Sequence, residues 1–96
     1  MEQQIIYEQD VANAVCVLIA KEARVMPDDV EVELAYDDDE GFSAEAGLNG
    51  QVHQLNTTRL VEALRLWIEQ YLDMDPMAAG IQLKLDDEEG IIAIVR

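Results

Sequence analysis

The fold is decided by residues 30–55, which read VEVELAYDDDEGFSAEAGLNGQVHQL. Apolar and polar side chains alternate from Val30 to Tyr36 and again from Phe42 to Leu48, the period of a strand with one buried face. The segment Asp37–Gly41 between them has no apolar residue and ends in glycine, and Asn49-Gly50 is a strong hairpin signal before Gln51–Leu55. The stretch therefore predicts a three-stranded antiparallel meander.

A helix is predicted on each side of this meander. Residues 8–24 carry apolar side chains at helical spacing, namely Val11, Ala14, Val15, Leu18 and Ile19. Pro27 ends this first helix. The second helix is capped by Thr57 or Thr58. It places Leu60, Leu64, Trp67 and Tyr71 on one face and Glu62, Arg65 and Glu69 on the opposite one.

A second hairpin is predicted after Asp75-Pro76 and Gly80. Apolar residues alternate from Ile81 to Leu85, an acidic turn follows over residues 86–90, and Ile91–Val95 is apolar on both faces. Such a strand is central in its sheet, or its Ile92 and Ile94 meet another chain, and we therefore predict a homodimer.

The sequence also predicts an internal repeat over residues 8–47 and 57–96. Shifting the chain by 49 residues puts Pro27 on Pro76, Gly41 on Gly90 and Asp37-Asp38 on Asp86-Asp87 without a gap. The alternative is convergence, because helix, proline, strand, turn and strand form a common order. The expected fold is α+β: a mainly antiparallel sheet of about five strands with two helices on one face. It is built from two helix-strand-strand units, with an extra strand between them.

Composition limits the classes of protein and of partner. The chain has 96 residues, is 50% hydrophobic and has a formal charge of −15, which predicts a single acidic domain over 1–96. Because only 6 residues are Lys or Arg, we expect no nucleic-acid partner, although helix, three strands and helix is also the order of double-stranded RNA-binding domains. The longest apolar run is too short to span a bilayer, so no membrane association is expected. A single cysteine and no secretion signal predict the cytoplasm.

The two acidic turns are the candidate metal sites. Asp37, Asp39, Asp86 and Glu88 supply carboxylates, which suit hard cations such as Ca²⁺. The spacing departs from the twelve-residue calcium loop after Gly41, however, and tight turns direct successive side chains into water. We favour solvated turns, with weak divalent-cation binding as the alternative.

The remaining reactive side chains form no recognisable constellation. His53 is predicted to be a surface strand residue, Cys16 a small apolar core residue, and Trp67 and Tyr71 core residues. Ser43 has no base placed beside it by spacing. We therefore predict no catalytic residue and no cofactor, and a protein that is not an enzyme.

Four segments resemble one known family. Residues 30–46, Arg65-Leu66-Trp67, Met74-Asp75-Pro76 and residues 86–93, DDEEGIIA, are similar to the small YxcD-like proteins of Bacillus and relatives. The resemblance covers nearly the whole chain. It implies a bacterial, cytosolic protein, and because the family has no assigned function it implies no reaction and no site residue.

Two functions remain open at this stage. The first is a non-enzymatic interaction or regulatory module whose acidic surface docks onto a basic protein partner. The alternative is a divalent-cation-responsive protein whose two acidic turns bind ions and change its stability or assembly.

Overall fold

The computed structural model describes residues 3–96, so the first two residues of the predicted domain lie outside it. The elements are β1 (Gln4–Ile6), α1 (Glu8–Ala23), a 3-10 turn (Pro27–Asp29), β2 (Glu31–Asp37), β3 (Gly41–Leu48), β4 (Gln51–Leu55), α2 (Thr57–Tyr71), β5 (Ile81–Asp86) and β6 (Gly90–Val95). The strands form two antiparallel sheets, sheet 1 in the order β1-β6-β5 and sheet 2 in the order β2-β3-β4.

The α+β class, both helices, the meander and the second hairpin are confirmed, and β6 is central in sheet 1. The prediction of one sheet of about five strands is wrong, because the described residues form six strands in two sheets. The unpredicted strand is β1, whose three residues pair with β6 near the other end of the chain.

Strands β1 and β4 occupy corresponding places in the two sheets. Ile6 pairs with Ala93 in sheet 1, and Leu55 pairs with Ala44 in sheet 2, so both partners differ by 49 residues. The strand predicted as an extra one thus has a counterpart. Each half of the chain, residues 4–48 and residues 51–95, runs strand, helix, strand, strand. Each sheet combines the hairpin of one half with the first strand of the other. We call two residues 49 apart counterparts.

The two helices pack against each other and against the inner faces of the sheets. They run antiparallel, since an ion pair of 2.6 Å joins Arg59 near the start of α2 to Glu22 near the end of α1. Their facing side chains are fully buried, namely Val11, Ala14, Val15, Leu60, Ala63, Leu64 and Ile68. At about 1.5–3 kcal/mol for each large side chain removed from water, this cluster is the main source of stability.

The starts of the helices link the two halves. At α1, Glu8 Oε2 accepts a hydrogen bond of 2.9 Å from the amide of Ile91, and at α2 the Thr57 hydroxyl donates one of 2.8 Å to the Phe42 carbonyl. These two links join counterpart positions. The N-cap of α2 is Asn56, whose Oδ1 accepts from the Arg59 amide at 3.0 Å, so the prediction of a threonine cap is wrong.

Candidate functional site

A cleft of about 530 Å³ lies beside α1. Its walls include Asn13 and Cys16 of α1, Asp28 of the 3-10 turn, Val32 of β2, and Trp67 and Tyr71 of α2. The antiparallel packing of the helices places the end of α2 beside the first half of α1, which explains how such distant residues meet. We call this space the Cys16 cleft.

One wall of the Cys16 cleft is aromatic. Trp67 and Tyr71 are one helical turn apart, their ring centroids are 4.3 Å apart and their planes are tilted by 30°. Trp67 is partly buried against the core, whereas Tyr71 is 55% exposed. The prediction that both are core residues is therefore wrong for Tyr71. Aromatic faces carry partial negative charge and attract cations.

The thiol-bearing residue Cys16 lines the cleft. It is half-buried, with Sγ 3.5 Å from the Val30 carbonyl oxygen. Burial, followed by the nearby Asp28 carboxylate, raises the pKa of the Cys16 thiol. The thiol therefore stays protonated at neutral pH and is a poor nucleophile. His53 lies exposed on β4, as predicted, and does not line this cleft.

The counterpart of Cys16 is Arg65, and the two make corresponding contacts. Arg65 Nη1 donates 3.0 Å to the Ala79 carbonyl, the counterpart of the Val30 carbonyl that faces Cys16. The same nitrogen donates to the Pro76 carbonyl. The second half thus holds a guanidinium where the first half has a short thiol. Helical spacing predicts Arg65 opposite the apolar face of α2, but it is partly buried. The 49-residue offset is the sequence signal that relates it to Cys16.

The four carboxylates predicted as metal candidates lie in two separate hairpin turns. Asp37 Oδ1 accepts hydrogen bonds from the Asp39 and Glu40 amides at 2.7 and 3.3 Å. Asp86 Oδ1 accepts in the same way from Glu88 and Glu89, both at 2.9 Å.

These amides of Glu89 and Glu88 lower the pKa of the Asp86 carboxyl below its usual value. Across residues 3–96, no three His, Cys, Asp or Glu side chains are grouped to hold a metal ion. The arrangement shows what the leading aspartate of each turn does: it fixes the backbone of the turn.

The outer face of sheet 2 is acidic. Glu31 and Glu33 of β2 and Glu45 of β3 are exposed there, and Val52 on the edge strand β4 is 62% exposed. Glu33 and Glu45 are directly opposite each other on β2 and β3. Like charges at directly opposite positions destabilise a sheet. We call these four residues the acidic face.

The outer face of sheet 1 is apolar on β1 and β6 and polar on β5, where Gln82 and Lys84 are exposed. Ile5 is 42% exposed and is paired directly with Ile94, and Tyr7 follows on the same side. The counterparts of Ile5, Tyr7 and Ile94 lie on or near the acidic face and are all polar, namely Gln54, Asn56 and Glu45. We call Ile5, Tyr7 and Ile94 the apolar face.

No helix within residues 3–96 is long and apolar enough to cross a membrane. Fold and surfaces define a small, strongly acidic α+β protein with two exchanged strands, an open cleft beside α1 and two outer faces of contrasting chemistry. The chain belongs to the family described as "Protein of unknown function (DUF2653)", whose model matches residues 1–88.

The chain is also similar to the uncharacterized protein YxcD of Bacillus subtilis (strain 168). The two are 34% identical over 92 residues, which cover 95% of this chain and 90% of that protein. The resemblance inferred from the acidic turns is thereby confirmed. No solved structure matches the chain.

Proposed function

We propose that this protein is a non-enzymatic interaction module of the bacterial cytosol that binds a basic protein partner through the acidic face. The observation that carries the proposal is the direct opposition of Glu33 and Glu45. Such a pair reduces the stability of the sheet, and a cationic partner would relieve the repulsion.

The composition of the acidic face supports a protein partner. Val52 on the edge strand β4 adds exposed apolar area beside the glutamates of β2 and β3, and protein interfaces combine apolar and polar surface. The formal charge of −15 would accelerate encounter with a basic surface. Of the few cations, Arg59 and Arg65 are already bound within the protein.

The chemistry of the reactive groups supports a non-enzymatic role. General acid-base catalysis by carboxylates needs one of them in an apolar environment that raises its pKa. Asp86 has the opposite shift, and its oxygen is occupied by turn amides. Cys16 is held as a neutral thiol, which disfavours nucleophilic catalysis.

The test is affinity capture from a Bacillus lysate at 0.15 M salt with two double variants of equal charge. Glu33→Gln/Glu45→Gln removes the opposed pair, whereas Asp38→Asn/Asp87→Asn removes two turn carboxylates. We expect the wild type and the turn variant to retain the same basic protein and the face variant to lose it. The face variant should also be more stable to urea, because the repulsion is gone. Equal capture by the two variants, or capture of no basic protein, would refute the proposal.

The apolar face supports a second part of the proposal, a homodimer. Packing of Ile5 and Ile94 against the same residues of a second copy would remove exposed apolar area from water. We also propose that the two halves arose by duplication of one strand-helix-strand-strand unit. The matched strand registers and the matched helix-start links support this origin.

A further inference from the structure

We propose that the Cys16 cleft binds a guanidinium group, supplied by an arginine side chain of the protein partner. The source of the arginine rests on the proposed function, whereas the guanidinium site is argued from the cleft alone. The inference comes from the difference between the two halves of the molecule.

The second half shows what this part of the fold can hold. Arg65 extends from α2 and donates to the carbonyl oxygens of Ala79 and Pro76, at the end of the segment that leads into β5. In the first half the counterpart of Arg65 is Cys16, which has a short side chain and no charge. The cleft of about 530 Å³ lies at this position.

Two other substitutions between the halves make the Cys16 cleft more attractive to a cation. The counterpart of Asp28 is Met77, so the first half has an additional carboxylate that lines the cleft. This carboxylate accepts no hydrogen bond from residues 3–96 that would compete with a ligand, and it lies close enough to Cys16 to affect the thiol. The counterpart of Trp67 is Leu18, and Trp67 gives the Cys16 cleft an aromatic wall.

The shape of the site favours a guanidinium over an ammonium. Trp67 and Tyr71 stack on each other, with ring centroids 4.3 Å apart, and a planar, weakly hydrated cation can extend this stack from an uncovered ring face while its edge donates to a carboxylate. An ammonium would supply the charge without the stacking. The cleft is open to solvent along the exposed ring of Tyr71, which suits a side chain that projects from a larger partner.

The experiment is a fluorescence titration with N-acetyl-arginine amide, using Trp67 as the reporter because it is the only tryptophan. N-acetyl-citrulline amide, which has nearly the same shape without the charge, is the control ligand. For the arginine probe we expect saturable binding with a dissociation constant on the order of 1 mM, the range of one stacked cationic group. The citrulline probe should bind about tenfold more weakly, since charge-assisted hydrogen bonds are roughly twice as strong as neutral ones.

Three variants test the location. Asp28→Asn should weaken binding of the arginine probe about fivefold or more, whereas Asp38→Asn, an equal change of charge in a distant turn, should leave it unchanged. Cys16→Arg, which introduces the side chain of the second half, should abolish binding because the new guanidinium occupies the cleft. A thermal melt shows whether Cys16→Arg is folded, and Asp28→Asn tests the proposal independently of it.

The proposal is overturned if the arginine and citrulline probes bind equally, if Asp28→Asn and Asp38→Asn behave alike, or if Trp67 shows no saturable response. Failure here is distinguishable from failure of the proposed function. The Glu33→Gln/Glu45→Gln variant should bind the arginine probe like the wild type and yet lose the captured protein.

Discussion

The turn glycines Gly41 and Gly90 differ in one contact, which allows the hydrogen bond between the halves to be measured. Both adopt positive φ, +80° and +78°, so alanine at either position costs about 1–2 kcal/mol in backbone strain. A Cβ on Gly41 would lie 3.5 Å from the Thr57 hydroxyl, an ordinary contact, whereas a Cβ on Gly90 would lie 2.2 Å from Glu8 Oε2. The Glu8 carboxylate must therefore move and release the Ile91 amide.

We expect Gly90→Ala to reduce the free energy of unfolding by about 1 kcal/mol more than Gly41→Ala does, the net contribution of a typical hydrogen bond. In a Glu8→Ala background the additional loss should vanish, so that Gly90→Ala then costs the same as Gly41→Ala. Urea unfolding followed by circular dichroism measures all five proteins, and the double-mutant cycle isolates the coupling. Equal costs of the two glycine substitutions in the wild type, or an unchanged cost of Gly90→Ala without Glu8, would refute this account.

Three further outcomes are expected. Turn amides lower the pKa of Asp86 in the folded state, so the stability that its carboxylate contributes is present above the ordinary pKa and is lost as pH falls through the lowered one. Asp86→Asn should therefore reduce the fall of the melting temperature with pH between about pH 2 and 5. An unchanged pH dependence of the melting temperature would contradict this. Asp28→Asn should speed alkylation of Cys16 by iodoacetamide at pH 8, since a charge that raises the thiol pKa is removed; equal rates would contradict it. Ile5→Gln introduces the residue type of the counterpart position and should convert the dimer to a monomer in sedimentation experiments. A wild-type protein that is monomeric at high micromolar concentration would refute the homodimer.

Local patterns in the sequence were sufficient for most elements of the fold. The period of two in residues 30–55 and the apolar spacing on both helices depend on neighbours within a few positions, and the structure places these elements within one or two residues of their predicted ends. The acidic turns were equally clear, because an aspartate that accepts the turn amides and a glycine at positive φ are local requirements.

The features that escaped prediction all depend on contacts between distant segments. β1 has three residues and no visible alternation, and it is a strand only because it pairs with β6. The division into two sheets follows from that pairing. Helical spacing places Arg65 opposite the apolar face of α2, but its long side chain turns back to the Ala79 carbonyl. Tyr71 follows the apolar period of α2, yet it lies at the helix end, where the core no longer covers it.

The exchange of first strands also sets the order in which the molecule can be completed during synthesis on the ribosome. β4 meets β3 across two residues, so sheet 2 can assemble as soon as that hairpin has emerged. β1 emerges earlier but has to wait for Ala93 to Val95, roughly 90 residues later, which at about 5–20 residues per second is a delay on the order of 5–20 s. During that interval Ile5 and Ile6 are without their native partners, and the nascent chain offers chaperones the side chain of Ile6, which the finished protein buries.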